Sequence, residues 1–84
     1  MNVRLLFFAS LREAIGVASE SLVLPAEVAS VGALRGHLAA RGGNWQRLAA
    51  GGNVRCALDQ TMADDAAALR EGAEIAFFPP VTGG

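Results

Sequence analysis

The C-terminal end of the chain carries the residues with the clearest chemical use. The sequence finishes Val81-Thr82-Gly83-Gly84, so that Gly84, taken as the native terminus, bears a free α-carboxylate. Glycine has no Cβ, and Gly83-Gly84 can therefore enter a channel too narrow for any side chain. A carboxylate is a poor electrophile, but condensation with ATP gives an acyl adenylate from which a nucleophile displaces AMP. We expect the reactive group to be the terminal carboxyl of Gly84, with Gly83 as part of the same site.

Two prolines separate this end from the rest of the chain. Pro79 and Pro80 fix φ and lack a backbone N–H, so neither can continue a sheet ladder. The residue before a proline is biased toward extended backbone, which applies here to Phe78. The sequence therefore predicts a flexible, extended functional tail over 79–84 that projects from the body of the protein.

The other reactive side chains do not form a pattern that suggests catalysis or metal binding. Cys56 is the only cysteine, which rules out an internal disulfide, and it lies in the middle of a predicted strand. We interpret it as a buried structural residue. His37 has no Cys or His at ligand spacing, and the pair Asp64-Asp65 is typical of a solvated turn. No metal site and no catalytic side chain are expected.

Length and composition indicate one small folded domain, residues 1–84. About half of the residues are hydrophobic (52%), which separates the chain from disordered segments. Seven arginines face eight acidic residues without a run of like charge, so no nucleic acid and no membrane is expected as a partner. No apolar stretch approaches the roughly 20 residues of a membrane span. These features predict a soluble, cytoplasmic protein. The sequence contains no lysine, so no side chain here can accept an isopeptide bond.

Hydrophobic periodicity predicts four strands around one main helix. Apolar alternation and β-branched content predict strands over 2–9, 19–24, 54–58 and 73–78. The main helix is predicted from Val31 to about Arg41, with Ser30 as its N-cap and Gly42 just past its end. Shorter helical segments are expected over 11–16, 44–50 and 63–69.

This order of elements predicts an α+β fold. A hairpin, a crossing helix and a return to the sheet place the first and last strands side by side and parallel, because such crossovers are right-handed. The result is a mixed β-sheet with one main helix packed on one face. That is the β-grasp arrangement, the fold of ubiquitin.

Four segments carry a family resemblance. The ending Phe77-Phe78-Pro79-Pro80-Val81-Thr82-Gly83-Gly84 resembles that of the molybdopterin synthase small subunit, the MoaD-type sulfur carrier of the ubiquitin-like β-grasp superfamily. The opening residues 3–9 and 11–13 are similar to the same family. So are residues 70–76 and the sequence Asp-Gln-Thr-Met at 59–62, where the family has Asn-Gln-Thr-Leu. Asp59 in place of the usual Asn is a departure that does not touch the tail.

The resemblance implies a sulfur-carrying role. An E1-like adenylating enzyme would activate Gly84 with ATP, and sulfur would then be loaded there as a thiocarboxylate. The tail would insert into the large catalytic subunit of molybdopterin synthase, a heterotetramer of two small and two large subunits, and donate sulfur to a pterin precursor to form the molybdopterin dithiolene. The chain itself would bind no cofactor, because ATP belongs to the adenylating partner and the pterin precursor is the substrate of the complex.

Insertion of the tail requires that the body also docks. Phe8 and Phe78 lie on the same side of the sheet if the first and last strands pair in register. Met62 aligns with a family position that joins this patch. The helix can cover only one face of the sheet, so we expect Phe8, Met62 and Phe78 to form an exposed docking surface. The tail residues Pro79, Pro80, Val81 and Thr82 would extend that contact toward the partner's active site.

Three other function classes remain open from the residues alone. A sulfur carrier for another product, such as thiamine thiazole, a thionucleoside or cysteine, shares the fold and the Gly-Gly end. A ubiquitin-like protein modifier would use the same acyl adenylate but form isopeptide bonds with target lysines. An inert ubiquitin-like interaction module would tolerate residues added after Gly84. The identity of the large subunit that co-purifies with the chain would discriminate among these classes.

Overall fold

A computed structural model describes residues 1–80 as a five-stranded mixed sheet with a helical layer on one face. The strands are β1 (Asn2–Phe7), β2 (Ser19–Val23), β3 (Arg55–Leu58), β4 (Thr61–Ala63) and β5 (Ala73–Phe78). The helices are α1 (Ala9–Ile15), α2 (Val31–Ala39) and a 3₁₀ helix over Gly43–Leu48. No helix in this part of the chain is both long and apolar enough to cross a membrane.

The centre of the sheet is the parallel pair of β1 and β5, which confirms the predicted β-grasp arrangement. The strand order is β2-β1-β5-β3-β4, and Val3 to Phe7 pair in register with Ala73 to Phe77. All other neighbours pair antiparallel. The last strand, β5, therefore lies in the middle of the sheet with a strand on each side, and the chain leaves the sheet from there.

Strict alternation along the two central strands divides the sheet into a buried and an outer face. Phe7 and Phe77 are almost fully buried, and their rings stack with centroids 5.8 Å apart. Trp45 of the 3₁₀ helix meets Phe7 edge to face at 5.7 Å. The apolar stripe of α2 joins the same core. Burial of each such side chain contributes about 1.5–3 kcal/mol, which makes this face the main source of stability.

The predicted helix starts and ends differ modestly from the observed ones. β1 ends at Phe7, because Phe8 is the extended N-cap residue of α1 and Ala9 already belongs to that helix. Ser30 caps α2 as predicted, with its hydroxyl oxygen accepting from the backbone N–H of Ala33 at 3.1 Å. The helix ends at Ala39 rather than near Arg41.

The segment 63–69 is not helical, and a fifth strand precedes it. Thr61–Ala63 pairs with β3 through a two-residue hairpin turn at Asp59 and Gln60, whose φ angles are +49° and +71°. Two positive φ values are typical of the hairpin turns that match strand twist. Beyond β4 the chain turns and forms a single bridge between Ala68 and Ser30. The prediction of a helical turn over 63–69 was therefore wrong.

Asp59, which stands where the family has Asn, fits this turn well. Its carboxylate accepts from the backbone N–H of Glu74 at 3.0 Å and from Arg70 at 3.2 Å. The hydrogen bond from Glu74, followed by that from Arg70, lowers the pKa of the Asp59 carboxyl below its ordinary value. Asp is also among the few residues that accept positive φ readily. The side chain thus ties the β3–β4 hairpin to β5.

The two glycines of α2 should respond in opposite ways to alanine. A Cβ on Gly32 would lie 3.1 Å from both the Cβ and the carbonyl oxygen of Asp65, whereas a Cβ on Gly36 would meet no atom within 4 Å. Alanine has the higher helix propensity, so Gly36→Ala should raise the free energy of unfolding by about 0.5–1 kcal/mol. Gly32→Ala should lower it, because the loop must move away. Urea denaturation of both variants checks this, and similar shifts of one sign would contradict the close approach.

Candidate functional site

The outer face of the sheet is apolar at its centre. Leu6 of β1, Ala76 of β5 and Ala57 of β3 are side by side in register, and all three are only half-buried. Phe8, Met62 and Phe78 surround them on the same face. We call this set the apolar patch: Leu6, Phe8, Ala57, Met62, Ala76 and Phe78. It lies opposite the buried core, on the face of the sheet away from Phe7 and Phe77.

The structure places the three predicted docking residues on one face, with different exposures. Phe8 is 47% exposed and Met62 is 59% exposed, so neither side chain belongs to the buried core. The backbone N–H of Phe8 donates to the carbonyl of Phe77 at 3.1 Å, which carries the parallel pairing up to Phe78. Phe78 is half-buried, less accessible than the other two. Their role in docking stays a prediction.

The root of the tail lies beside this patch. Pro79 and Pro80 are half-buried, and Pro80 lines an open groove of about 390 Å³. Met62 and Arg55 line the same groove, so it begins where the apolar patch ends. Val81, Thr82, Gly83 and Gly84 lie outside the described residues, and the expectations for them remain predictions.

Arg35 is a structural residue of this region that the sequence analysis missed. It is 5% exposed and donates from Nε to the carbonyl of Leu48 at 2.8 Å and from Nη2 to that of Ala49 at 3.1 Å. Its Nη1 donates to Asp65 at 3.1 Å. These bonds join α2 to the end of the 3₁₀ helix and to the loop after β4. No pattern near Arg35 in the sequence indicates these contacts, because its acceptors lie 13, 14 and 30 positions further along the chain.

The neighbouring aspartates separate into two roles. Asp64 accepts from the backbone N–H of Ala66 at 3.0 Å, as expected for a turn residue. Asp65 instead forms an ion pair with the buried guanidinium of Arg35, so its assignment to turn solvation needs correction. A buried cation left without its carboxylate would be costly, which makes this pair a fixed part of the groove wall. His37 is exposed on α2, as expected for a solvated residue.

Cys56 is in a position that disfavours reaction as a nucleophile. It is 2% exposed and lies opposite Phe77 in the β3–β5 register. Burial raises the pKa of its thiol to about 11. Because the thiolate is the reactive form, a thiol with this pKa is almost entirely protonated near neutrality. This supports the interpretation of Cys56 as a structural residue.

Cys56→Ser should leave sulfur transfer intact. The hydroxyl would replace a buried thiol and could lack a hydrogen-bond partner, so we expect a loss of about 1–3 kcal/mol in the free energy of unfolding. Native protein should also resist alkylation by iodoacetamide at pH 8, while denatured protein reacts. A folded Cys56→Ser variant without transfer activity would mean that sulfur passes through this residue.

Comparison with known proteins agrees with the fold and with the motifs. The family model described as ThiS matches residues 5–84. The molybdopterin synthase sulfur carrier subunit of Haemophilus influenzae is 43% identical over 82 residues, which cover 98% of this chain and 99% of that protein. The protein of the same name from Escherichia coli is 39% identical with the same coverage.

Solved structures show the same architecture. SAMP1 from Haloferax volcanii superposes with a TM-score of 0.80 at 23% identity, over the full length of both chains. A chain of the complex of subunits 1 and 2 of the molybdopterin-converting factor from Helicobacter pylori superposes with a TM-score of 0.69 at 24% identity, again over both full chains. Likeness at this identity concerns the fold. The match over residues 5–84 and the relatives near 40% identity show that the chain belongs to the ThiS family, in which it is similar to the MoaD-type sulfur carrier subunits of molybdopterin synthase.

Proposed function

We propose that this chain is the sulfur carrier subunit of molybdopterin synthase and that its reactive group is the α-carboxyl of Gly84. The observation that carries the proposal is an apolar sheet face directly beside the root of a tail that ends in Gly-Gly. A docking face and a slim reactive tip on one edge are what delivery into another protein's active site requires. The two relatives near 40% identity, both named as such carrier subunits, support the assignment.

The chemistry needs no side chain of this chain. A carboxylate oxygen of Gly84 attacks the α-phosphorus of ATP, and pyrophosphate leaves. Hydrosulfide then attacks the acyl carbon, the bond from that carbon to the phosphate oxygen breaks, and AMP departs, which leaves a thiocarboxylate at Gly84. In the large subunit, the thiocarboxylate sulfur is transferred to the pterin precursor and water restores the carboxylate. A dithiolene holds two sulfurs, so two loaded carriers are consumed for each pterin.

Two partners follow from this sequence of steps. An E1-like adenylating enzyme performs the activation and uses the ATP. The large catalytic subunit receives the loaded tail, in a heterotetramer of two small and two large subunits. The Helicobacter pylori complex of subunits 1 and 2 supports a large-subunit partner. Within molybdopterin synthase, this chain is the subunit that carries the sulfur. It takes part in sulfur transfer without catalytic side chains of its own.

Reconstitution tests the proposal. The purified chain is incubated with ATP, the adenylating enzyme and a sulfide donor, and intact mass spectrometry should show one oxygen replaced by sulfur at Gly84. Addition of the large subunit and the pterin precursor should then form the dithiolene and regenerate the carboxylate. A loaded carrier that serves only a thiazole or thionucleoside enzyme, or that appears as an isopeptide on target lysines, would refute the molybdopterin assignment.

A further inference from the structure

Arg55 is a cation without an ion pair within residues 1–80, at the junction of the apolar patch and the tail root. Its Cα pairs directly with that of Phe78, and its side chain lines the groove that reaches Pro80. Three ion pairs occur in that range, and they use Arg35, Arg41 and Arg70. Side chains directly opposite on neighbouring strands have Cβ atoms about 4.5–5.5 Å apart. A partner that covers Phe78 therefore meets Arg55 as well.

The other arginine on this face lies directly across from a carboxylate on the neighbouring strand. Arg4 pairs in register with Glu74 on β5, so its charge is opposed within the sheet. The outer face thus holds two arginines and one glutamate, although the whole chain has one more acidic than basic residue. Arg55 has Phe78 rather than an acidic residue opposite it, and although Asp64 and Asp65 line the same groove, neither forms an ion pair with it. It is also the arginine closer to the tail.

Covering such a guanidinium with apolar surface is strongly unfavourable unless a carboxylate or another acceptor replaces its water. We propose that the large synthase subunit presents a carboxylate to Arg55, so that an ion pair at the tail root accompanies the apolar contact of Phe78. This inference rests on the proposed function, because it names the chemistry of the same docking surface. The ion pair would fix how the folded domain is positioned on the large subunit, next to the residues where the tail begins.

The pair should govern both the strength and the salt dependence of binding. Charge reversal at a covered ion pair places two like charges together, and we expect Arg55→Glu to weaken binding to the large subunit by about 100-fold at low salt. The loss should shrink at high salt, since screening reduces both attraction and repulsion. Arg55→Gln should fall between Arg55→Glu and wild type at low salt, and Arg55→Lys should retain most of the affinity.

Calorimetric titration of the large subunit from the same organism, at low and at high salt, tests this. Arg47→Glu is the matched control, because Arg47 is also exposed but belongs to the 3₁₀ helix that packs on α2, away from the outer face. It should bind like wild type, and thermal melts should show all variants folded. If the wild-type chain binds and the Arg55→Glu variant binds equally well, the proposed ion pair is wrong but the carrier function is not contradicted. The same holds if the variant's loss of affinity does not depend on salt. Failure of the wild-type chain to bind the large subunit would overturn the proposed function itself.

Discussion

A carrier that is one residue longer than Gly84, or that lacks Gly84, should lose sulfur transfer completely while its thermal unfolding stays that of the unaltered chain. In the proposed mechanism the terminal carboxyl is adenylated and loaded, so an added residue would move it out of the partner's site and a deletion would withdraw it. The fold should not respond, because the core is formed by residues 3–77 and the tail begins after Phe78.

The measurement is dithiolene formation in the reconstituted system, with mass spectrometry of the carrier to show at which step the reaction stops. An extension that a protease removes to regenerate Gly84 provides the control, since cleavage should restore full transfer. Undiminished transfer by a permanently extended chain would show that the terminal carboxyl is not the sulfur site.

Phe8→Glu should weaken binding to both the adenylating enzyme and the large subunit by orders of magnitude. A charge placed in a desolvated apolar contact costs several kcal/mol, and each 1.4 kcal/mol is a factor of ten in affinity. The isolated variant should remain folded, because Phe8 is already 47% exposed and the new carboxylate would face water. Met62→Glu, at 59% exposure, should behave in the same way. Because the proposed docking uses one patch beside one tail root for both partners, we expect the partners to compete.

The adjacent Phe7 provides a sharp contrast. It is 1% exposed and stacked on Phe77, so Phe7→Glu should abolish the cooperative melt rather than only the binding. Pull-downs with each partner and a thermal melt of each variant decide the matter. Unchanged binding by a folded Phe8→Glu variant would move the interface away from the apolar patch.

The parts of the fold that the sequence predicts are those with long periodic signals. β1 and β5 are six-residue strands rich in apolar residues, and the stripe Val31, Leu34 and Leu38 defines α2. With the right-handed crossover rule, these signals predict the central parallel pair and its helix. β4 has three residues, too few for alternation to show. Its turn uses Asp59 and Gln60 at positive φ, where a glycine would have been the recognisable signal.

Some residues of the candidate site could also be predicted from the sequence, and others could not. The shared face of Phe8, Met62 and Phe78 follows from strand parity and from the family resemblance, and the structure puts the three residues there. Arg35 could not be found in this way, because its acceptors come from residues 13, 14 and 30 positions further along the chain. Nothing local distinguishes it from a solvated helix arginine. The isolation of Arg55 is likewise visible only once the neighbours of β3 are known.

The burial of Cys56 bears on how copies of this protein would behave toward one another under the proposed activation of Gly84. An acyl adenylate is attacked readily by amines and thiolates, and every copy in solution is a potential nucleophile. Here the only thiol is buried with a pKa of about 11, and the chain has no lysine. The α-ammonium of Met1 donates to the carbonyl of Leu24 at 2.9 Å in a partly buried position. If Gly84 is adenylated as proposed, these features would limit self-acylation between copies of the chain.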